Sequence, residues 1–337
     1  MGVTIKDVAR LANVSVATVS RALNGRDNVG EDVRRRVLAI ADSLDYSPHH
    51  AARSLSSRRT HTIGVVLPDL PCEVFARLMC GIDKAARERG LQLLVSGHHA
   101  TAEGQGEALR SMRGRVDGLL AISPYAGLDL AAARLPAGLP VLLLDSDPGV
   151  AGASTYGIDN HAGAKAMVGH LVDNGYRDIA FVGGREPHFN AGERQRGYLE
   201  AMAELVPSVR PRVLPGDFDV ASGARAGQQL AEPGQRPDAI FAANDMMALG
   251  CLFALQRAGL RVPGDIALAG FNDIPLARHA SPPLTTLRID IASMGTEALV
   301  MLTEGIADGG GPRHHSVVPE LVVRASTTRR AATQGAQ

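Results

Sequence analysis

Residues 4–25 read Thr-Ile-Lys-Asp-Val-Ala-Arg-Leu-Ala-Asn-Val-Ser-Val-Ala-Thr-Val-Ser-Arg-Ala-Leu-Asn-Gly and spell two short capped helices joined by a tight turn. Thr4 with Asp7 makes a capping-box start, Val8 and Leu11 give the first helix an apolar stripe, and Asn13 lies at the break. Ser15 caps a second helix, which buries Val19 and Leu23 and turns Val16, Ala17, Thr18, Ser20, Arg21 and Asn24 outward. It stops at Gly25, a residue suited to the left-handed position after a helix.

An ordinary helical hairpin would use the same caps. Two further features favour an element that enters the major groove of DNA. The outward residues of the second helix are mostly small or polar, which permits close approach to base edges and phosphates, and the surrounding segment is basic. Residues 1–59 carry ten Lys/Arg (Lys6, Arg10, Arg21, Arg26, Arg34, Arg35, Arg36, Arg53, Arg58, Arg59) against six acids, a difference of +4. The 337-residue chain balances at 35 basic and 35 acidic, so residues 60–337 hold 25 against 29, or −4. Phosphate attraction is concentrated at the N-terminal end, as in a dedicated DNA-binding head.

A third helix is predicted from Glu31 or Asp32 to about Leu44, with Val33, Val37, Ile40, Ala41 and Leu44 on its apolar face. Tyr46-Ser47-Pro48 breaks it. The Ala/Arg/Ser segment from His49 to Ser57 is too short for a stable isolated helix and reads as a conditional linker. From Thr62 the texture changes to apolar runs of strand length: Ile63–Leu67, Leu91–Val95, Gly118–Ile122, Val141–Leu144, Ile179–Val182, Ala239–Ala242 and Ile266–Ala269. Between them lie helical stretches near Ala76–Arg89, Ala162–Asn174, Arg194–Leu205 and Met246–Ala258, some followed by glycine at Gly90, Gly175 and Gly259. The alternation predicts a doubly wound parallel sheet, repeated to make two lobes.

Ligands in such sheets sit beyond the carboxyl ends of the strands. The residues there are Pro68-Asp69, Ser123, Asp145, Gly183-Gly184, Asn244-Asp245 and Asn272-Asp273. Carboxylates, amides and a hydroxyl suit a hydroxyl-rich ligand, and a sugar is the natural candidate. Asp245 and Asp273 are better explained as caps of the helices that follow.

At 45% hydrophobic the chain can bury a large core. It shows neither an apolar signal-peptide core nor the roughly 18 consecutive apolar residues of a membrane span, so a cytoplasmic protein without membrane contact is expected. Cys72, Cys80 and Cys251 have no CxxC spacing, and His49-His50, His98-His99 and His314-His315 are adjacent residues that point apart, so no metal or disulfide framework is expected. With no GxGxxG, no GxxxxGK[ST] and no nucleophile–base pair, neither an enzyme nor a cofactor is expected. An exported solute-binding protein would share the two lobes but would need an export signal and would have no use for the basic head.

The motifs Val-Ser-Val-Ala-Thr-Val-Ser-Arg-Ala-Leu-Asn at 14–24, Ala-Ala-Arg-Ser-Leu at 51–55, Arg59-Thr60, Ile63-Gly64-Val65, Ala243-Asn244-Asp245, Met247-Ala248-Leu249-Gly250, Val262-Pro263-Gly264-Asp265-Ile266 and Pro283-Leu284-Thr285-Thr286 follow one another in order. Over about residues 3–328 the chain resembles the lac-repressor/galactose-repressor family of bacterial transcription regulators. The resemblance implies an all-α helix-turn-helix head over 1–47, a hinge helix and linker over 48–60, and a periplasmic-binding-protein-like α/β body over 61–330. The first lobe of that body would comprise about 61–160 and 290–318, the second about 161–289 and 319–330, with 331–337 a disordered tail.

The resemblance further implies that Thr4, Ser15, Val16, Ala17, Thr18, Ser20, Arg21, Asn24 and Tyr46 meet DNA with the head. His49, Ala52, Arg53 and Leu55 would do so with the hinge, Leu55 from each of two subunits wedging between base pairs at the centre of a palindromic operator. His49 stands where the family often has asparagine. The effector, for which a sugar or oligosaccharide is the candidate, would lie between the lobes against Asp145, Ser123, Asn190, Arg194, Asn244 and Asn272, with Phe75 and Phe218 as apolar platforms. Arg194 opens Arg-Gln-Arg-Gly-Tyr, taken as the start of a helix, where a fixed guanidinium can grip ligand oxygens. Asn272 replaces the aspartate of many family members. The tail has no leucine heptad, so a homodimer is expected rather than a tetramer.

Overall fold

The computed structural model describes residues 3–23, 28–46, 59–68, 73–98, 102–122, 130, 133–136, 138–147, 150, 152–185, 187–308 and 311–328. The chain divides into two compact units, residues 1–61 and 62–337.

The first unit holds α1 (Ile5–Ala12), α2 (Val16–Leu23) and α3 (Glu31–Ser43). Val8, Ala9, Ala12, Val19, Ala22, Val37 and Ala41 form its core, with Leu23, Val33, Ile40, Leu44 and Tyr46 packed around it. Asn13 adopts a left-handed conformation at the end of α1, and the Ser15 hydroxyl accepts the backbone N–H of Thr18 at 3.1 Å, so the turn and the cap form as expected. Leu11 does not join the stripe. It is 53% exposed, and Ala9 and Ala12 fill the face beside Val8 instead.

The second unit contains, in order, β1 (Thr62–Pro68), α4 (Glu73–Glu88), β2 (Gln92–His98), α5 (Ala102–Ser111), β3 (Gly118–Ile122), β4 (Val141–Leu144), β5 (Ser154–Ile158) and α6 (Asn160–Asp173). There follow β6 (Ile179–Val182), α7 (Phe189–Leu205), β7 (Arg212–Leu214), α8 (Val220–Ala231), β8 (Ala239–Ala242), α9 (Asp245–Arg257), β9 (Ala267–Ala269) and α10 (Pro275–His279). The last elements are β10 (Thr286–Arg288), α11 (Ile291–Asp308), β11 (His314–Val317) and β12 (Glu320–Val322).

The body is two-lobed. A six-stranded parallel sheet, β11-β5-β4-β3-β1-β2, forms one lobe, and a four-stranded parallel sheet, β7-β6-β8-β9, the other. In the first sheet Leu120, Ile122, Leu142 and Leu144 face α4 and α11, while Leu119, Ala121 and Leu143 face Leu109 of α5 and Met112 just beyond it. Both faces are covered, which explains the unbroken apolar runs. Gly90, Gly175 and Gly259 take positive φ after α4, α6 and α9.

The chain passes between lobes after β5, after β10 and after β11. The antiparallel pair β10–β12 ties the last two crossings together.

Asp245 and Asp273 are not helix caps. Asn244 caps α9, its side-chain oxygen accepting the Met247 N–H at 2.8 Å. Asp245 instead accepts the Thr286 hydroxyl at 2.6 Å and the Ile274 N–H at 2.9 Å, while Asp273 accepts Arg288 Nε at 2.8 Å and Arg324 Nη2 at 2.7 Å. The two carboxyls anchor the segments that lead between the lobes.

Candidate functional site

On the head, α2 turns Val16, Ala17 and Arg21 to solvent and half-buries Thr18 and Ser20, so one face is small, polar and cationic. Arg21 carries no ion pair among the described residues. The Thr4 hydroxyl donates to Asp7 at 2.7 Å. Tyr46 is half-buried against the core of the head. Asn24, His49, Ala52, Arg53 and Leu55 lie outside the described residues.

In the body, parallel strands and their following helices bring several of the side chains expected from sequence to the carboxyl ends of the sheets. Asp145 follows β4 in a left-handed conformation, φ 54°, and its Oδ1 is buried without a hydrogen-bond partner. Burial pushes its pKa up, opposed by the charge of Arg194 and a hydrogen bond from Asn190. Asn190 Oδ1 accepts Asn160 Nδ2 at 3.0 Å, and Asn160 Oδ1 accepts Arg194 Nε at 2.7 Å. Arg194 also gives Nη1 to the Ala243 carbonyl at 2.6 Å and lies 3.7 Å over the Phe271 ring.

The helix bearing Arg194 begins at Phe189, so this arginine lies inside α7 and not at its start. Held by two acceptors and a ring, its guanidinium is a fixed part of the wall.

Phe218 completes the group. Its ring covers Gly184, where any Cβ would overlap it, and stands 4.9 Å from the His188 ring. Burial, with the positive charges of Arg194 and Arg185, holds His188 neutral by lowering its pKa to about 3. Asn244 gives Nδ2 to the Phe218 carbonyl at 2.8 Å while capping α9, so it orders the wall from both ends. Asn272 has φ 109°, a conformation that favours glycine, fixed by its N–H to the Leu287 carbonyl at 2.7 Å. Phe75 is half-buried on α4 against the core, and no hydrogen bond or ring contact joins it to this group among the described residues. Ser123 lies outside the described residues.

Asn160, His188 and Phe271 join the group without having been expected from sequence. Asn160 follows β5, whose Ser-Thr-Tyr-Gly-Ile pattern is too polar to stand out as a strand, so nothing along the chain marks the residues beyond its end. Phe271 adjoins Asn272 and is legible in principle as a ring at a strand end.

The N-terminal residues 4–49 match the model of bacterial regulatory proteins of the lacI family, and residues 168–327 match a periplasmic binding protein-like domain. The HTH-type transcriptional repressor PurR of Photobacterium profundum is 34% identical over 329 residues, which is 96% of this chain and 98% of that protein. The chain belongs to the lacI family of bacterial regulatory proteins. As a member of that family it is a DNA-binding transcriptional repressor and not an enzyme. Among solved structures, the lac repressor dimer bound to operator and an anti-inducer aligns with a TM-score of 0.91 at 28% identity, covering 98% of this chain and all of that one. The transcriptional regulator CelR in complex with cellobiose aligns at 0.71 with 31% identity, covering 96% and 99%. Among the described residues no helix is long and apolar enough to cross a membrane.

Proposed function

We propose that this lacI-family repressor is governed by a small hydroxyl-rich effector, a sugar or short oligosaccharide, held between the lobes of the body. The observation that carries this reading is the buried, unpartnered Asp145 oxygen beside Asn190 and Arg194. A buried carboxylate oxygen without a donor is costly, and a ligand hydroxyl supplies one. The neutral His188 and the Phe218 ring offer the flatter, less polar wall that a sugar ring needs. CelR with its cellobiose supports the same class.

The chain acts as a cytoplasmic homodimer on a palindromic operator, with head and hinge bounded near residues 47 and 60. Thr4, Ser15, Val16, Ala17, Thr18, Ser20, Arg21, Asn24 and Tyr46 serve the head, and His49, Ala52, Arg53 and Leu55 the hinge. The effector acts through its difference in affinity for two arrangements of the lobes, and a coupling of roughly 1–3 kcal/mol shifts operator affinity about 5- to 150-fold.

Operator duplexes selected from a random pool, with affinity followed by fluorescence anisotropy, test this against mono- and oligosaccharides, sugar phosphates and purines. A shift with a neutral saccharide is the expected result. A response confined to purines or sugar phosphates overturns the ligand class, and no response overturns the regulatory reading of the body.

A further inference from the structure

Two of the crossings between lobes run side by side. Ile158 and Val317 pair where β5 and β11 end, and the Asp159 N–H carries the ladder one step further, to the Val317 carbonyl at 2.9 Å. Asn160 follows at once, buried, as the first residue of α6. Its carboxamide is placed to hold this crossing. Nδ2 donates to the Ile158 carbonyl at 3.1 Å, which fixes the last residue of β5, while the neighbouring Asp159 side chain caps α6 by accepting the Ala162 N–H at 2.9 Å.

The same carboxamide reaches the candidate site. Nδ2 also donates to Asn190 Oδ1 at 3.0 Å, and Oδ1 accepts Arg194 Nε at 2.7 Å. Asn190 in turn gives a hydrogen bond to Asp145, which follows β4 of the first lobe. The Ala243 carbonyl and the Phe271 ring, which also hold Arg194, belong to the second lobe, whereas Asn160 stands on the crossing itself. With Nδ2 shared between two acceptors and Oδ1 taken by a guanidinium, Asn160 cannot follow a movement of Arg194 or Asn190 without loosening its hold on Ile158. Residues at element ends are where a movement of lobes is absorbed.

We infer that Asn160 is a positioning residue that couples occupancy of the site at Asn190 and Arg194 to the first lobe crossing, an inference that rests on reading this group as the effector site. A ligand that draws on either side chain redistributes the hydrogen bonds of Asn160. The arrangement of the lobes then shifts to the extent that those bonds differ between the two arrangements.

Two measurements on the full-length protein test it. The first needs no ligand: amide hydrogen exchange read by mass spectrometry compares the crossing segments, residues 156–163 and 315–320, with β3 in the middle of the first sheet. Arg194→Ala should lower protection of the crossing segments about tenfold, the scale of one net hydrogen bond, and leave β3 as it was. Asn160→Ala should do the same, and the double variant should lose no more than Asn160→Ala alone, because both changes break one path. Crossing segments that stay protected in Arg194→Ala, exchange that rises equally in β3, or additive losses would overturn the inference.

The second measurement reads the response. Asn160→Asp keeps an acceptor for Arg194 Nε but, as a carboxylate, has no N–H for the Ile158 carbonyl or for Asn190. Neutral mono- and oligosaccharides, cellobiose among them, serve as probes against a selected operator duplex. At saturating saccharide the shift in operator affinity should shrink in this variant, whatever happens to the concentration giving half the effect. A full shift reached only at a higher concentration would make Asn160 part of the pocket alone and would also overturn the inference. If no saccharide shifts the operator affinity of the unaltered protein, the ligand class proposed above fails, and the exchange measurement decides the coupling by itself.

Discussion

Arg194 is a structural clamp, and on the proposed function it is part of the ligand wall as well. Its guanidinium satisfies Asn160 Oδ1 and the Ala243 carbonyl and covers Phe271, so truncation leaves two acceptors without their donor. Arg194→Ala should therefore cost about 1–3 kcal/mol of stability as well as abolishing the effector response. Thermal unfolding and operator binding with effector measure the two effects separately, and an unchanged melting temperature would contradict the clamp. Asp245 gives a second residue-scale expectation. Burial raises its pKa to about 7, against hydrogen bonds from Thr286 and Ile274 and with repulsion from Asp273. The unfolded chain ionises from 3.8 upward while the folded one holds its proton, so this group's contribution to stability falls as pH rises from 3.8 to about 7. Asp273 runs the other way. Burial alone would raise its pKa, but Arg288 and Arg324 hold it below the usual value, so its contribution is present above the unfolded pKa and is lost on acidification. Asp245→Asn can keep both contacts, with its amide toward Thr286, and should flatten the decline in melting temperature between about pH 5 and 7. An unaltered pH profile would count against it.

At the scale of elements, α8 and α9 meet backbone to backbone. A methyl at Gly250 would overlap the Val220 carbonyl oxygen, and one at Gly223 would overlap that of Met247. Gly250→Ala should push α8 away from α9 and cost about 1–3 kcal/mol, the usual range for overpacking, read as a lower denaturant midpoint at unchanged slope. A neutral result would mean the helices can slide apart freely. The elements legible from sequence patterning are those with unbroken apolar runs or strong caps: β3, β4, β6 and β8 at the expected bounds, and the starts of α2 and α3. Several that escape it share a physical reason. β5 mixes Ser, Tyr and Gly, β7, β10 and β12 are three residues each, and α8 is largely Ala, Gly, Ser and Gln, so none has an apolar period long enough to read.

At the scale of the whole molecule, a cationic head precedes a net-acidic, two-lobed body, and on the proposed function the two divide the work between DNA attraction and ligand response. Asp245, Asp273, Arg288 and Arg324 lie along the crossings between lobes. On the proposed hinge, Leu55→Ala removes an apolar wedge and no charge. It should weaken binding to a selected operator while leaving salt-sensitive binding to random DNA largely intact. Equal loss on both, measured by anisotropy at matched salt, would remove Leu55 from that role.

The head's caps, its apolar spacing and the charge contrast between residues 1–59 and the rest were fixed by local chemistry, because a cap or a helical period depends only on residues a few places apart. Asp145, Asn190 and Arg194 are marked along the chain by strand and helix ends and by family motifs. What those side chains do was decided by residues far away in sequence. Asn160, Phe271 and the Ala243 carbonyl hold Arg194, Arg288 and Arg324 reach back to Asp273, and Thr286 meets Asp245 across the lobe crossing. Burial and partners arise only when those segments pack, so whether a carboxyl caps a helix, anchors a crossing or waits for a ligand is a property of the tertiary structure.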